Sequence, residues 1–177
     1  LNTSRVQSGV LRLVQLYLGL SVVCSVVYWL CGLSWFDSIV HMFTTLSTGG
    51  FSTRSGSIAD FNNPTLEWAI TFFMAIGGTS FLLIIDALGR KWKPILTSSE
   101  FKAYTILLAS FTAAITVFLL IDDQSSLDPS AAVRTAAFQV VSIMTTTGFS
   151  TADFNLWLPV THVLLLSAMF IGGCSGS

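Results

Sequence analysis

Charge is what this sequence has least of. Only 10% of its 177 residues are Asp, Glu, Lys or Arg, whereas a soluble globular domain carries roughly 25%. Eight basic residues against nine acidic ones leave a net charge of −1, so the strongly basic face that nucleic acid requires is missing. Cysteine is scarce too. Cys24, Cys31 and Cys174 are the only three, and they fit neither a disulfide framework nor a zinc site, because no second pair of ligands exists. Low charge does not mean disorder here: 53% of residues are hydrophobic, 12% are aromatic and mean hydropathy is +0.75. Such a chain buries itself readily, and the solvent it suits is a bilayer.

Four windows contain no Asp, Glu, Lys or Arg: Leu13–Phe36, Trp68–Ile85, Ala103–Ile121 and Phe154–Ser177, of 24, 18, 19 and 24 residues. A hydrocarbon core of about 30 Å needs roughly 20 apolar residues as helix, so four spans are expected. The first is no signal peptide, since it lacks a short apolar core followed by a small-residue cleavage site. Six of the eight basic residues (Arg5, Arg12, Arg90, Lys91, Lys93 and Lys102) flank the inner ends of these spans. The positive-inside bias therefore puts both termini and the 90–102 loop in the cytoplasm. Seven of the nine acids then face outward, where they raise the local cation concentration.

Two stretches between the spans say more than the spans do. Residues 37–47 and 131–144 have a moderately apolar helical pattern too short to cross the bilayer, which suggests re-entrant segments. Each ends in a Thr/Ser/Gly run that disfavours helix: Thr48-Gly49-Gly50-Phe51-Ser52-Thr53 and Thr146-Thr147-Gly148-Phe149-Ser150-Thr151. Asp37 and Asp128 are the expected N-caps, with Pro129 at the first helical position. The two loops superpose at an offset of 98, and Ala59-Asp60-Phe61 matches Ala152-Asp153-Phe154 at 93. Met74-x-Ile76-Gly77-Gly78-x-Ser80 matches Met169-x-Ile171-Gly172-Gly173-x-Ser175 at 95. A unit of helix, half-helix, Thr/Gly loop and helix thus occurs twice in one orientation. The first copy carries five extra residues, placeable at 54–58.

Non-helical backbone at membrane depth survives only when it is buried in protein or lines water. Each loop therefore suits a pore lining in which carbonyl and hydroxyl oxygens replace an alkali cation's hydration shell. Glycine permits φ > 0, and each half-helix directs the negative end of its dipole at the same point. Neither loop contains a carboxylate, which argues for a monovalent cation over a divalent one.

The Thr-Thr-Gly-Phe-Ser-Thr loop, the Ala-Asp-Phe after it and the Ile-Gly-Gly-Cys-Ser-Gly-Ser ending resemble the Trk/Ktr/HKT superfamily of potassium transporters. The order of motifs is most similar to the second and third repeats of the bacterial Trk membrane subunit, over essentially the whole chain. The resemblance implies potassium uptake through a pseudo-fourfold pore in the bacterial inner membrane, with two repeats supplied here and the remaining repeats elsewhere in a longer protein. It implies a filter in which Gly50 and Gly148 are the key glycines and Thr48, Gly49, Thr146 and Thr147 line potassium sites, the potassium ion being the bound species. It implies a gate at Gly172, Gly173, Ser175 and Gly176, a homodimer, and a cytoplasmic nucleotide-binding regulatory ring as partner. No Thr-Val-Gly-Tyr-Gly of other potassium channels occurs, and the family's single key glycine per loop implies a looser filter. A sodium-permeable or sodium-coupled transporter is the nearest alternative.

The expected architecture is all-α, a membrane protein of tandem M1–P–M2 repeats with re-entrant half-helices. Residues 1–100 form the first repeat with its cytoplasmic linker. Residues 101–177 form the second, truncated in its last span. Within them M1 covers about 10–33 and 101–121, the half-helices 37–47 and 129–144, and M2 about 64–87 and from 157 onward. One rival of another class remains. Gly173-Cys174-Ser175-Gly176 matches the Gly-x-Ser-Gly of intramembrane serine proteases, but a serine nucleophile needs a histidine within hydrogen-bond reach. His162 lies about 20 Å up the same expected helix by the helical rise. His41 is expected to be a hydrogen-bonded half-helix residue, not a ligand. A membrane scaffold without transport has no use for paired half-helices ending in Thr/Gly loops.

Overall fold

The computed structural model describes residues 3–79, 98–122 and 127–172. All regular structure among them is helical: α1 Thr3–Leu30, α2 Trp35–Leu46, a 3-10 turn Ser57–Phe61, α3 Pro64–Gly77, α4 Ser99–Ile121, α5 Pro129–Met144, a 3-10 turn Phe154–Leu156 and α6 Pro159–Ile171. The Gly173, Ser175 and Gly176 part of the expected gate, the inner half of the first M2 and most of the 90–102 loop lie outside the described residues.

Proline and polar caps set the helix starts. Pro64, Pro129 and Pro159 each open a helix, where a missing N–H costs nothing and φ is already set. Asn63 caps α3 by accepting from the Thr65 and Leu66 amides at 3.0 and 3.2 Å. The N-cap of α2 is Ser34 and not Asp37: the Ser34 hydroxyl accepts from the Asp37 amide at 3.0 Å and donates to the Asp37 carboxylate at 2.8 Å. Ser-x-x-Asp is a capping box with Asp in the third helical position, so the helix starts two residues before the expected 37. Asp128 does occupy the cap of α5, but its side chain makes no capping bond. At the other end of α1, Gly32 adopts φ +101, and the Gly32 and Leu33 amides bond back to Trp29 and Tyr28. That left-handed turn stops α1 at Leu30, short of the expected 33.

Gly9–Leu30 and Ser99–Ile121 are long and apolar enough to cross a membrane, with mean hydropathies of 2.0 and 2.2. Only about a fifth of each window is buried within the chain. Val22, Val23, Ile106 and Ile121 are all more than half exposed, as expected for helices whose outer faces meet lipid or other protein.

α5 is the axis of the packing. Every residue from Thr135 to Ser142 is buried, because α5 contributes to two cores at once. Phe138 and Val141, with Phe149 beyond the helix, join Tyr28, Met42, Leu66, Ile70 and Met74 of the first unit. Ala132, Ala136, Val140 and Met144 join Ile115, Leu119, Leu165 and Ala168 of the second. One further contact ties the units together: Arg134 Nε donates to Glu67 Oε2 at 2.7 Å, between α5 and the first turn of α3.

Candidate functional site

The two half-helices end in the same way, hydrogen bond by hydrogen bond. After α2, the Gly49 and Gly50 amides both donate to Thr44 O at 2.8 and 3.2 Å, and the Thr48 amide to Thr45 O at 3.1 Å. After α5, the Thr147 and Gly148 amides both donate to Ser142 O at 2.9 and 3.2 Å, and the Thr146 amide to Ile143 O at 3.0 Å. Every partner is displaced by 98 residues, so the two loops repeat each other in hydrogen bonding as they do in sequence. Gly50 and Gly148 have φ +66 and +86, the left-handed region that glycine enters without a Cβ penalty. Thr48 and Thr146, at φ +52 and +59, are a different matter. A β-branched residue there is a conformational outlier costing about 1–3 kcal/mol, of the kind concentrated at functional sites.

The loops meet. Gly50 lies so close to the Thr147 peptide that a Cβ on it would overlap the Thr147 carbonyl oxygen and stand 2.9 Å from its carbon. Thus Gly50, Thr147 and Gly148 are brought together, and Thr48, Gly49 and Thr146 lie within the same two turns. Gly49 has no left-handed φ, consistent with Thr147 occupying its place in the second loop. Gly172 ends α6, and a Cβ there would come within 2.9 Å of Met144 Cα. The glycine therefore packs directly against the C-terminus of the second half-helix. Gly77 packs in the corresponding way on Leu46.

What stands behind each loop differs between the units. In the first, His41 Nδ1 donates to Asp37 O at 2.7 Å, since a carbonyl only accepts. Its Nε2 is paired with the Ser52 hydroxyl at 2.9 Å, and the ring is flanked by Phe61 and Phe149. Asp37 accepts from the Thr53 hydroxyl at 2.6 Å. That bond, then the Ser34 hydroxyl, holds its carboxyl below the usual value, with exposed Arg54 at 3.8 Å adding to the effect. In the second unit Gln139 occupies the His41 place, with Nε2 at 3.5 Å from Ser150 Oγ and 3.3 Å from Ala152 O. Thr135 occupies the Asp37 place, and the Thr151 hydroxyl is buried with no hydrogen-bond partner among the described residues. The Ser142 hydroxyl donates instead to Phe149 O at 2.6 Å. His162 is engaged with Phe154 O at 2.7 Å.

Two half-helices that aim their C-terminal dipoles at a shared Thr/Gly junction suit a cation. Comparison with known proteins identifies the relatives. A family model described as cation transport protein, TrkH, matches residues 2–177. The chain belongs to the TrkH family. It is 37% identical over 177 residues to the Trk system potassium uptake protein TrkH of Halomonas elongata, covering 99% of this chain and 36% of that one. The TrkH of Escherichia coli K12 is 36% identical over 163 residues, covering 92% of this chain and 34% of that one. The crystal structure of the potassium transporter TrkH from Vibrio parahaemolyticus superposes with a TM-score of 0.91 at 35% identity, covering 98% of this chain and 37% of that one. This chain therefore spans about a third of the length of the TrkH relatives it matches. Membership in this transporter family, together with its two long apolar helices, makes it an integral, multi-pass protein of the bacterial inner membrane.

Sequence reasoning expected His41 to be hydrogen-bonded, as it is, and missed three features of the site: the left-handed threonines, the Gln139 support, and the contacts by which one unit holds the other. The second was signalled by the 98-residue offset, which pairs position 41 with 139 and Ser52 with Ser150.

Proposed function

We propose that the complete protein takes up potassium by selective permeation, and that this chain supplies two of the filter loops around its pore. The observation that carries this reading is the duplicated loop geometry: two half-helix C-termini, each followed by a strained Thr and a left-handed Gly, meeting at Gly50 and Thr147. In this reading Thr48, Gly49, Gly50, Thr146, Thr147 and Gly148 line the sites for potassium, which is cargo and not a resident cofactor. Backbone oxygens there replace the hydration shell, and the half-helix dipoles offset the cost of dehydration. The test is rubidium-tracer uptake into proteoliposomes containing the full-length transporter, with potassium, sodium and lithium as competitors, beside Gly148→Ser. Competition by potassium but not sodium, with discrimination lost in the variant, is expected. Equal competition by sodium would move the function to general monovalent cation entry, the second reading, which a single left-handed glycine per loop favours.

Residues 172–176 are proposed as the gate beneath these loops, supported by the close seat of Gly172 on Met144 and by the three glycines and two serines of 172–177, which weaken a helix by about 1 kcal/mol per glycine. Gly173→Ala is expected to change open probability in single-channel recordings, and an unaltered value would sink the gate. A homodimer and a cytoplasmic nucleotide-binding ring complete the proposed assembly on family resemblance. A monomeric mass in detergent would remove the first, and unchanged uptake on adding nucleotide and ring would remove the second.

A further inference from the structure

The five residues present in the first copy and absent from the second lead into a strut that grips the other unit's loop. After Thr53 the chain turns at Ser57, which has φ +59, into the 3-10 turn Ser57–Phe61. The Ile58 and Ala59 amides both donate to Ser150 O at 3.1 Å. The Ser150 amide donates in return to Ser57 Oγ at 3.2 Å. Both backbone polar groups of Ser150, two residues beyond Gly148, are thus held by the first unit. The strut itself is well anchored. Ile58 is completely buried in the first core, and the Gly56 amide donates to the Asp60 carboxylate at 2.8 Å. Phe61 packs edge-on against His41 with centroids 5.3 Å apart. Just beyond the turn, the Asn63 amide group donates to Cys31 O at 2.7 Å. The corresponding Ser52 of the first loop makes no backbone-to-backbone hydrogen bond among the described residues.

We propose that the 57–61 turn is a positioning element for the second loop, and that Ser57 sets potassium-over-sodium discrimination at Gly148 by fixing the Ser150 peptide. The inference rests on the filter reading above. On the snug-fit account of selectivity, a loop free to shift adapts its oxygens to either ion and a loop held at both ends does not.

The test is Ser57→Gly in the full-length transporter. Glycine accepts the left-handed φ, so the turn folds while the Oγ acceptor is lost. Ser55→Gly, exposed and two residues away, adds the same chain freedom without touching Ser150 and serves as control. In Ser57→Gly, amide hydrogen exchange of peptides covering 146–151 is expected to accelerate while 48–53 stays unchanged. The ratio of sodium to potassium inhibition constants for rubidium uptake should narrow about fivefold, the equivalent of one hydrogen bond of about 1 kcal/mol. A purely structural role would lower uptake of both ions together and leave that ratio alone. Unaltered exchange at 146–151, or an unaltered ratio in a wild type that does discriminate, overturns the proposal. A wild type that takes up no rubidium strikes the filter reading instead, and the exchange measurement still decides whether the strut holds the loop.

Discussion

Gly50 and Gly148 occupy equivalent places, yet within this chain a methyl group on each would meet opposite surroundings, and that contrast tests the pore reading. At Gly50 the added Cβ would run into the Thr147 carbonyl group and the Gly148 carbonyl carbon, 3.2 Å away. Backbone must move to relieve it. Alanine at φ +66 loses about 1 kcal/mol against glycine, the low end for an L-residue in the left-handed region, and overpacking adds about 1–3 kcal/mol, a total of roughly 2–4 kcal/mol. At about 1.4 kcal/mol per factor of ten, the correctly formed loop falls on the order of 30- to 1,000-fold in relative population. At Gly148 the added Cβ has nothing within 4 Å, and a cavity of about 470 Å³ opens beside it between α5 and α6. Only the left-handed backbone cost of about 1 kcal/mol remains there, roughly fivefold. If further repeats close a ring, however, the next loop must stand against Gly148 as Thr147 stands against Gly50. Gly148→Ala should then be as damaging as Gly50→Ala in the full-length protein. The assay is the rubidium half-saturation concentration and initial uptake rate of each variant at matched protein density. A Gly148→Ala variant only about fivefold impaired beside a severely impaired Gly50→Ala would refute the ring, because nothing would then face Gly148.

The remaining prediction concerns the link between units. Arg134 and Glu67 have side chains only 20% and 11% exposed, so removing one partner strands a largely dehydrated charge. Glu67→Gln should destabilise the protein by roughly 3 kcal/mol, read as loss of thermal stability of the detergent-solubilised protein by fluorescence-detected size exclusion. Arg134→Met combined with Glu67→Gln should recover part of that loss. A double-mutant coupling below about 0.5 kcal/mol would show that the pair does not tie α5 to α3.

What the sequence made legible was local chemistry. Pro129 fixed the start of α5 and the Thr/Gly run its end, so 129–144 coincides with the helix observed. The α2 start was misplaced although its signal was present: Ser34-Trp35-Phe36-Asp37 is a capping box, and the first turn lies in the two aromatic residues that precede the aspartate. Contacts between distant residues were not legible. Glu67 and Arg134 could be assigned to one side of the membrane by charge bias, but nothing in their spacing announces a 2.7 Å bond. The five-residue excess at 54–58 was visible as a count, and its partner Ser150, 93 residues from Ser57, was not. The left-handed threonines were illegible for an energetic reason. Local preference opposes φ > 0 at a β-branched residue, and only the surrounding contacts override it.

Those contacts explain how the strain persists and why the two loops are not interchangeable. Beyond each left-handed threonine, two successive amides converge on one half-helix carbonyl, Thr44 O or Ser142 O, and this shared pattern over-determines the turn. Beyond it the supports diverge: a histidine, an aspartate and Thr53 hold the first loop from within its own unit, whereas in the second Gln139 makes longer bonds and the Thr151 hydroxyl none among the described residues. The second loop is held within its own unit by other bonds, Ser142 Oγ to Phe149 O at 2.6 Å and Thr145 Oγ1 to Thr147 Oγ1 at 2.8 Å among them, and it shares three more with the neighbouring unit through Ser57, Ile58 and Ala59. One loop geometry thus occurs twice, and part of what holds the second loop comes from the first unit. The conformation of the second loop is therefore a property of the interface between units, so a substitution at Ser57 should be felt at Gly148, where the amides of 147 and 148 and the peptide of 150 are fixed from opposite sides.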